Sequence, residues 1–413
     1  MTAPELPGRA LFPELTGRHI IYLNGASRSA LPAPTLEAGL AAMRRKSATP
    51  WDIGPSADTE DVRRLFARLI GRGASASDVS IAPSCAYAMS LAAHNLRGAI
   101  CGVKREVLVL QDQNPSNVMP WQHLCATQGG RLRVIPRPKD DNWTVPIVEA
   151  ILGGRIAVAA LPPCHWCDGS IVNLSEVAAA CHASDTPLVL DVTQYLGGAA
   201  PIDYVKLGAT FVAASVHKWL LGPYGCCLCY SPQKFWSSAV PLDQHDRNRE
   251  GADRVECLPM HPQSGYEMCF QSGARRLDMA GRPSYIVMPM VKASLGLLLG
   301  ELSIESVLSY VMPLSAMVAS EARALGFGVP ERHSPTIIGL KPARGMPDTD
   351  AIVRKLAERS PSILVSARLG VIRVSPHVWN THGHVMQLIE GLREVLSSGI
   401  DHQTKPLIGM ARL

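Results

Sequence analysis

The chain has 413 residues, 47% hydrophobic and 18% charged. That predicts a sizeable buried core spread over two domains and excludes a disordered or fibrous protein. The net charge of +5, from 40 basic and 35 acidic residues, is scattered without a Lys/Arg block. Nucleic acid and membrane surfaces are therefore not expected as partners, and anionic small molecules remain plausible ligands.

The 11 cysteines fall in apolar runs (Cys226, Cys227, Cys229) or alone in helix-like stretches (Cys125, Cys181), the usage of a reduced, cytoplasmic protein. Cys164 and Cys167 form a C-x-x-C, but no second ligand pair follows at zinc spacing, so no metal is expected. The N-terminal residues lack the apolar stretch of a secretory leader, and no apolar run is long enough to span a bilayer.

In chain order, DVSIAP (78–83), EVLVLQ (106–111), RLRVIP (131–136), IAVAALP (156–162), PLVLDV (187–192), ATFVAAS (209–215) and CCLCYS (226–231) read as strands. Helical patterns lie between most of them, over 86–96, 120–128 and 174–183. Such alternation predicts an α/β protein with a large, mostly parallel sheet covered by helices on both faces. Residues 237–276 are polar and loop-rich, and 283–299 read as a long apolar helix. The remainder mixes helices with short strands, as in a small α+β domain. The expected organisation is an N-terminal arm (1–30) packing with the small domain, a large domain (31–285), a small domain (286–402) and a tail (403–413).

Ligands of such sheets sit at the carboxyl ends of the strands. There the chain places Ser84-Cys85-Ala86, opening a helix whose first amides suit a phosphate. It also places Asp191, a carboxylate that is costly to bury without a cationic partner, and Gln194 three residues on. After the next strand come Ser215, His217 and Lys218. Lys218, between a small apolar run and a Gly-Pro turn, has the setting of a lysine that loses its proton and attacks a carbonyl. An acid for a ring nitrogen, a lysine for a Schiff base and donors for a phosphate are what a pyridoxal 5′-phosphate enzyme requires.

LVLDVTQYLGG followed by SVHKWLLGPYG resembles the class V aminotransferase family, which includes cysteine desulfurases, selenocysteine lyases, kynureninases, isopenicillin N epimerase-like proteins and C–S lyases. YLNGASRSALP, NVMPWQHLCATQGGRLRVIP, RRLDMAGRPSYI and IRVSPHVWNT extend the resemblance over most of the chain, in the family's order. It implies the aspartate-aminotransferase-like fold type I of pyridoxal-phosphate-dependent transferases. It also implies roles. Lys218 is the Schiff-base lysine and Asp191 the partner of the pyridinium nitrogen. Gln194 bonds the ring O3′, and Ser215, His217, Cys85 and Ala86 hold the phosphate. Arg373 clamps a substrate α-carboxylate, a task its planar fork suits. Gly281 and Arg282 reach the phosphate of a neighbouring subunit, so a homodimer is implied. Asn24 and Arg28 belong to the N-terminal segment that enters the substrate side.

Departures from the family pattern bear on the reaction. Asn114 stands where a histidine or another aromatic commonly covers the ring, and an amide cannot act as an imidazole acid or base. Trp166 replaces a frequent asparagine, either giving aromatic contact to substrate or packing in the core. Cys85 stands where threonine is frequent. Arg28 either binds a distal anion of the substrate or faces solvent. Desulfurases carry a mobile loop with a catalytic cysteine shortly before the carboxylate arginine; here SILVSARLGVIRVSP (362–376) is short and has no cysteine.

The expectation is therefore a pyridoxal-phosphate lyase acting on an amino acid or cysteine S-conjugate, cleaving C–S by β-elimination without a catalytic cysteine. The alternatives are decarboxylation-coupled oxidative deamination of an S-conjugate, as in lincosamide-tailoring members, and epimerisation or transamination. A regulator is not expected, because no helix-turn-helix module fits before YLNG.

Overall fold

The structure, a computed structural model, describes residues 7–53, 57–252, 257–281 and 283–397. Arg282 and the expected tail lie outside the described residues. The strands are β1 (Ile20–Tyr22), β2 (Val79–Ala82), β3 (Glu106–Leu110), β4 (Arg131–Ile135), β5 (Ile156–Leu161), β6 (Leu188–Asp191), β7 (Phe211–Ser215), β8 (Cys227–Tyr230), β9 (Ile338–Leu340), β10 (Ser362–Leu364), β11 (Ser366–Arg368) and β12 (Val371–Val374).

Seven of them form one sheet in the order β2-β8-β7-β6-β5-β3-β4. Strands β3 to β7 are mutually parallel, and β8 runs antiparallel to both β2 and β7. Each strand is one or two residues shorter than its apolar run, because the flanking residues turn out of the ladder. The inner strands are buried along their whole length, so they read as continuous apolar runs rather than alternating ones. Strand β4 is one of the two edges, and its exposed Arg131 and Arg133 guard it against further pairing.

Helices cover both faces over two apolar cores, one containing Phe66, Trp143 and Val212, the other Met89, Trp121 and Phe211. A separate core around Ile338, Ile352 and Leu388 belongs to the C-terminal part, where β11-β12-β9 form an antiparallel sheet. The N-terminal segment joins this part: β1 pairs parallel with β10, and Asn24 bridges Ser375.

One buried ion pair ties the segment before Gly281 to the large sheet. Arg63, 3% exposed, forks onto both carboxylate oxygens of Asp278 and donates to the Val79 carbonyl at 2.6 Å. Asp278 Oδ1 also accepts from Ile81 N at 2.8 Å. Asp278→Ala leaves the buried guanidinium with Glu60 alone, at 3.1 Å from its Nε, and its fork unmade, and is expected to destabilise the protein by about 3 kcal/mol in urea denaturation. A loss below about 1 kcal/mol would show that the pair contributes no more than a surface contact.

Candidate active site

The carboxyl ends of β3, β5, β6 and β7, with the start of antiparallel β8, meet at one end of the sheet around a cavity of about 280 Å³. Cys85, Ala86, Asn114, Trp166, Asp191, Gln194, Ser215, His217 and Lys218 all line it. Asn24, Arg28 and Arg373 lie outside that lining, on the side reached past Trp166. Gly281 is exposed and does not line the cavity.

Lys218 sits in a tight loop after β7 that closes on itself through Leu221 N to Lys218 O (3.0 Å) and Gly222 N to Val216 O (2.8 Å). The neighbouring Trp219 is fully buried and locks this loop. A β-carbon at Gly197, whose φ is +92°, would meet the Trp219 carbonyl oxygen at 2.5 Å, and one at Gly198 would meet the indole at 2.9 Å. The Gly-Gly pair therefore makes the slot in which the indole lies. Trp219 Nε1 donates to Gln194 Oε1 at 3.1 Å. Gln194 Nε2 then gives one hydrogen to the Ala26 carbonyl (3.0 Å) and keeps a second for a ligand acceptor.

Burial, reinforced by the Arg373 charge, pushes the Lys218 ammonium down to about 8, against opposition from Asp191. The neutral amine is the nucleophile, so its reactivity rises as pH rises through that value. Capture of pyridoxal phosphate by cofactor-free protein should follow a pH midpoint near 8 rather than the ordinary lysine value of 10.5. Stopped-flow absorbance across pH 6 to 11 checks this, and a midpoint near 10.5 would contradict the burial argument.

Asp191 ends β6 at 9% exposure. Its Oδ1 accepts from Thr193 N at 3.0 Å, and Thr193 Oγ1 accepts from Ser215 N at 3.1 Å, which joins the ends of β6 and β7. Burial first, and the Asp191 charge second, push the Cys85 thiol well above its ordinary range. Cys85 therefore stays protonated. Burial likewise raises the two other thiols lining the cavity, Cys164 and Cys226.

At the opposite wall, helix Cys85–Asn95 opens with Ser84 as its cap, Oγ accepting from Tyr87 N at 3.2 Å. His217 stacks on Tyr224 at 4.0 Å and 17°. Burial and the Lys218 and Arg28 charges push its imidazole down to about 4, so it is a neutral donor at physiological pH. Asn114 is tied to its own turn, its Oδ1 accepting from Ser116 N at 3.0 Å.

Beyond Trp166 lies a cationic wall. Arg373, on β12 and 1% exposed, donates to the Trp166 carbonyl at 2.9 Å and to Ser27 Oγ at 2.6 Å, with its Nε buried and unpartnered. Asn24 Oδ1 accepts from Ser27 Oγ at 2.7 Å, so Asn24 orients the hydroxyl rather than facing the cavity. Trp166 is half-buried, its Nε1 donating to the Asp112 carbonyl at 2.6 Å. The exposed Arg28 donates from Nε to Tyr224 Oη at 3.2 Å. Four residues enter that sequence reasoning missed: Thr193, Trp219, Tyr224 and Arg368, whose Nη2 donates to Ser27 Oγ at 3.4 Å. Thr193, Trp219 and Tyr224 lie within or beside the quoted motifs, so adjacency to Asp191 and Lys218 was the available signal.

A lysine with a depressed pKa, a buried carboxylate across from it, an amide with a spare hydrogen and a helix N-terminus, all at one end of a mostly parallel sheet, fit pyridoxal phosphate. They define a pyridoxal-phosphate enzyme of fold type I. The family model for aminotransferase class-V matches residues 21–255, over half of the chain, and the chain belongs to that family. It is 27% identical over 246 residues to a cysteine desulfurase of Klebsiella pneumoniae, covering 57% of this chain and 60% of that protein. The match thus spans about three fifths of that curated relative. It is 24% identical over 335 residues to the uncharacterized aminotransferase YcbU of Bacillus subtilis, covering 80% and 82%. Among solved structures, the cysteine desulfurase CsdA of Escherichia coli superposes with a TM-score of 0.80 at 20% identity, over 94% of this chain and 97% of that one. The cystine C–S lyase C-DES, in complex with its product cysteine persulfide, gives 0.77 at 18%, over 92% and 98%. At such identities the two structures share the fold.

Proposed function

We propose that the protein cleaves the C–S bond of a cysteine S-conjugate by β-elimination, without passing sulfur to a protein cysteine. The observation that carries this is the hairpin between β11 and β12. Arg368 pairs with Val371 across a two-residue turn in which Leu369 and Gly370 have φ of 51° and 77°. This primed turn is the tightest connection two antiparallel strands can make. It leaves no room for a thiol-bearing loop immediately before Arg373. The cysteines that line the cavity are held protonated by burial, which makes them poor nucleophiles.

Bound pyridoxal phosphate supplies an electron sink that acidifies the Cα hydrogen of an amino acid held through its amine. Lys218 takes that proton as its neutral amine. Asp191 places a negative charge where the ring nitrogen needs to stay protonated, and Thr193 N keeps the carboxylate oriented. Ser215, His217 and the amides of Cys85 and Ala86 hold the phosphate. Arg373 takes the α-carboxylate in its fork. The Cβ–S bond then breaks with its electron pair on sulfur, and the three-carbon fragment takes up water. The balance is one thiol, one pyruvate and one ammonium per conjugate consumed. A second copy of the chain, bringing Gly281 and Arg282 to the phosphate, completes the site in this reading.

The test is stoichiometry with and without dioxygen. A panel of cysteine S-conjugates with apolar and with carboxylate-bearing side chains should include one that gives thiol and pyruvate in equal amounts in air and under argon. Oxygen-dependent release of carbon dioxide and an aldehyde would replace elimination with decarboxylative oxidation. An intact keto acid or the enantiomer as product would assign transamination or epimerisation.

A further inference from the structure

We propose that Arg368 forms a second anion subsite beside Arg373, so that the substrate's side chain carries a carboxylate of its own. This deepens the reading above and rests on Arg373 receiving the α-carboxylate. The hairpin register sets up the pair. Ser366 stands opposite Arg373, and Arg368 lies two residues beyond Ser366 on the same pleat. The period of two therefore turns both arginines to one face, as diagonal neighbours across the ladder.

Their tips converge on one atom. Ser27 Oγ accepts from Arg373 Nη2 at 2.6 Å and from Arg368 Nη2 at 3.4 Å, while its own hydrogen goes to Asn24. Arg28 follows Ser27 in the chain and adds a third guanidinium to the rim. Among the described residues, none of the three lies within ion-pair distance of a carboxylate, although Arg63, Arg131, Arg137, Arg359 and Arg393 each have one. Burial, and secondly the charge of Arg368, pull the Arg373 guanidinium down to about 10. Like charges so placed repel, and a group that brings opposite charge to both relieves the repulsion.

One α-carboxylate engages one fork fully. Arg373 is the inner, buried fork and the half-buried Arg368 the outer one. The outer fork therefore faces the part of the substrate beyond Cα, where a planar carboxylate can be bound in bidentate fashion. An S-carboxyalkyl cysteine has both anions on one molecule.

The experiment is isothermal titration of the full-length holoenzyme with glutarate and with its monoamide, glutaramate, at fixed ionic strength. Glutarate should bind about tenfold or more tightly than glutaramate, the margin expected for a charge-assisted fork. Arg368→Gln should bring the two affinities together, Arg368→Lys should keep part of the difference, and Arg373→Gln should weaken both ligands. Equal affinities in the unaltered enzyme, or a preference that survives Arg368→Gln, would overturn the subsite. Glutarate has no amino group and no C–S bond, so this outcome is independent of which reaction the enzyme performs. A preference without C–S cleavage would sink the proposed reaction and leave the subsite standing. Cleavage without a preference would do the reverse.

Discussion

Lys218→Ala is expected to keep a folded protein that retains some pyridoxal phosphate, yet to lose turnover by roughly 10⁴-fold or more, since covalent capture and proton transfer disappear together. Lys218 is the one lysine among the described residues that lines the cavity. Its loop is held by Trp219 in the glycine slot and by backbone bonds from Leu221 and Gly222, none of which uses the Lys218 side chain. The truncation therefore removes an amine without removing the frame around it. Borohydride treatment of the unaltered protein should fix the cofactor to the peptide containing Lys218, and the variant should carry no such label. A label on another lysine, or a variant with turnover within tenfold of the original, would defeat the assignment.

Asp191→Ala is expected to cost about 10³-fold in turnover, in the range seen when a preorganised electrostatic partner is removed. The carboxylate is nearly buried and accepts from Thr193 N at 3.0 Å. Without it, no acidic side chain among the described residues lining the cavity favours a proton on the ring nitrogen, whose pKa falls. Ser215 stays linked to Thr193, so the β6–β7 junction should persist and the variant should melt near the original temperature. Absorbance of bound cofactor separates loss of chemistry from loss of binding. Turnover within tenfold of the unaltered enzyme would remove Asp191 from the mechanism.

Much of this site is legible in the amino-acid sequence, for a physical reason. A parallel strand buried on both faces is a continuous apolar run, and its ligand-facing residues come immediately after it. Asp191 follows PLVL, and Ser215 through Lys218 follow FVAA. Arg368 is not legible in the same way. Its partnership with Arg373 depends on a two-residue turn that sets the register of β11 on β12, and a one-residue slip would put it on the opposite face. Asn114, which the family pattern puts over the ring, lines the cavity, and its side chain also caps the turn Pro115–Asn117, a local bond that asparagine makes readily and that its residue type alone does not announce. Arg28 is exposed and donates to Tyr224 beside the stack of Tyr224 and His217, a contact across 196 residues that its sequence neighbours do not signal. No helix among the described residues is long and apolar enough to cross a membrane.

The direct test of the central claim is to follow sulfur and the three-carbon fragment together. The enzyme is incubated with a cysteine S-conjugate and, separately, with free cysteine. Persulfides are trapped with an alkylating probe, the protein is weighed intact, and alanine is quantified against pyruvate. Three exposed thiols, Cys101, Cys257 and Cys269, are within reach of the probe. The account predicts pyruvate, ammonia and the intact thiol from the conjugate, an unmodified protein mass, and poorer turnover of free cysteine. Alanine formed in step with a protein persulfide would contradict it.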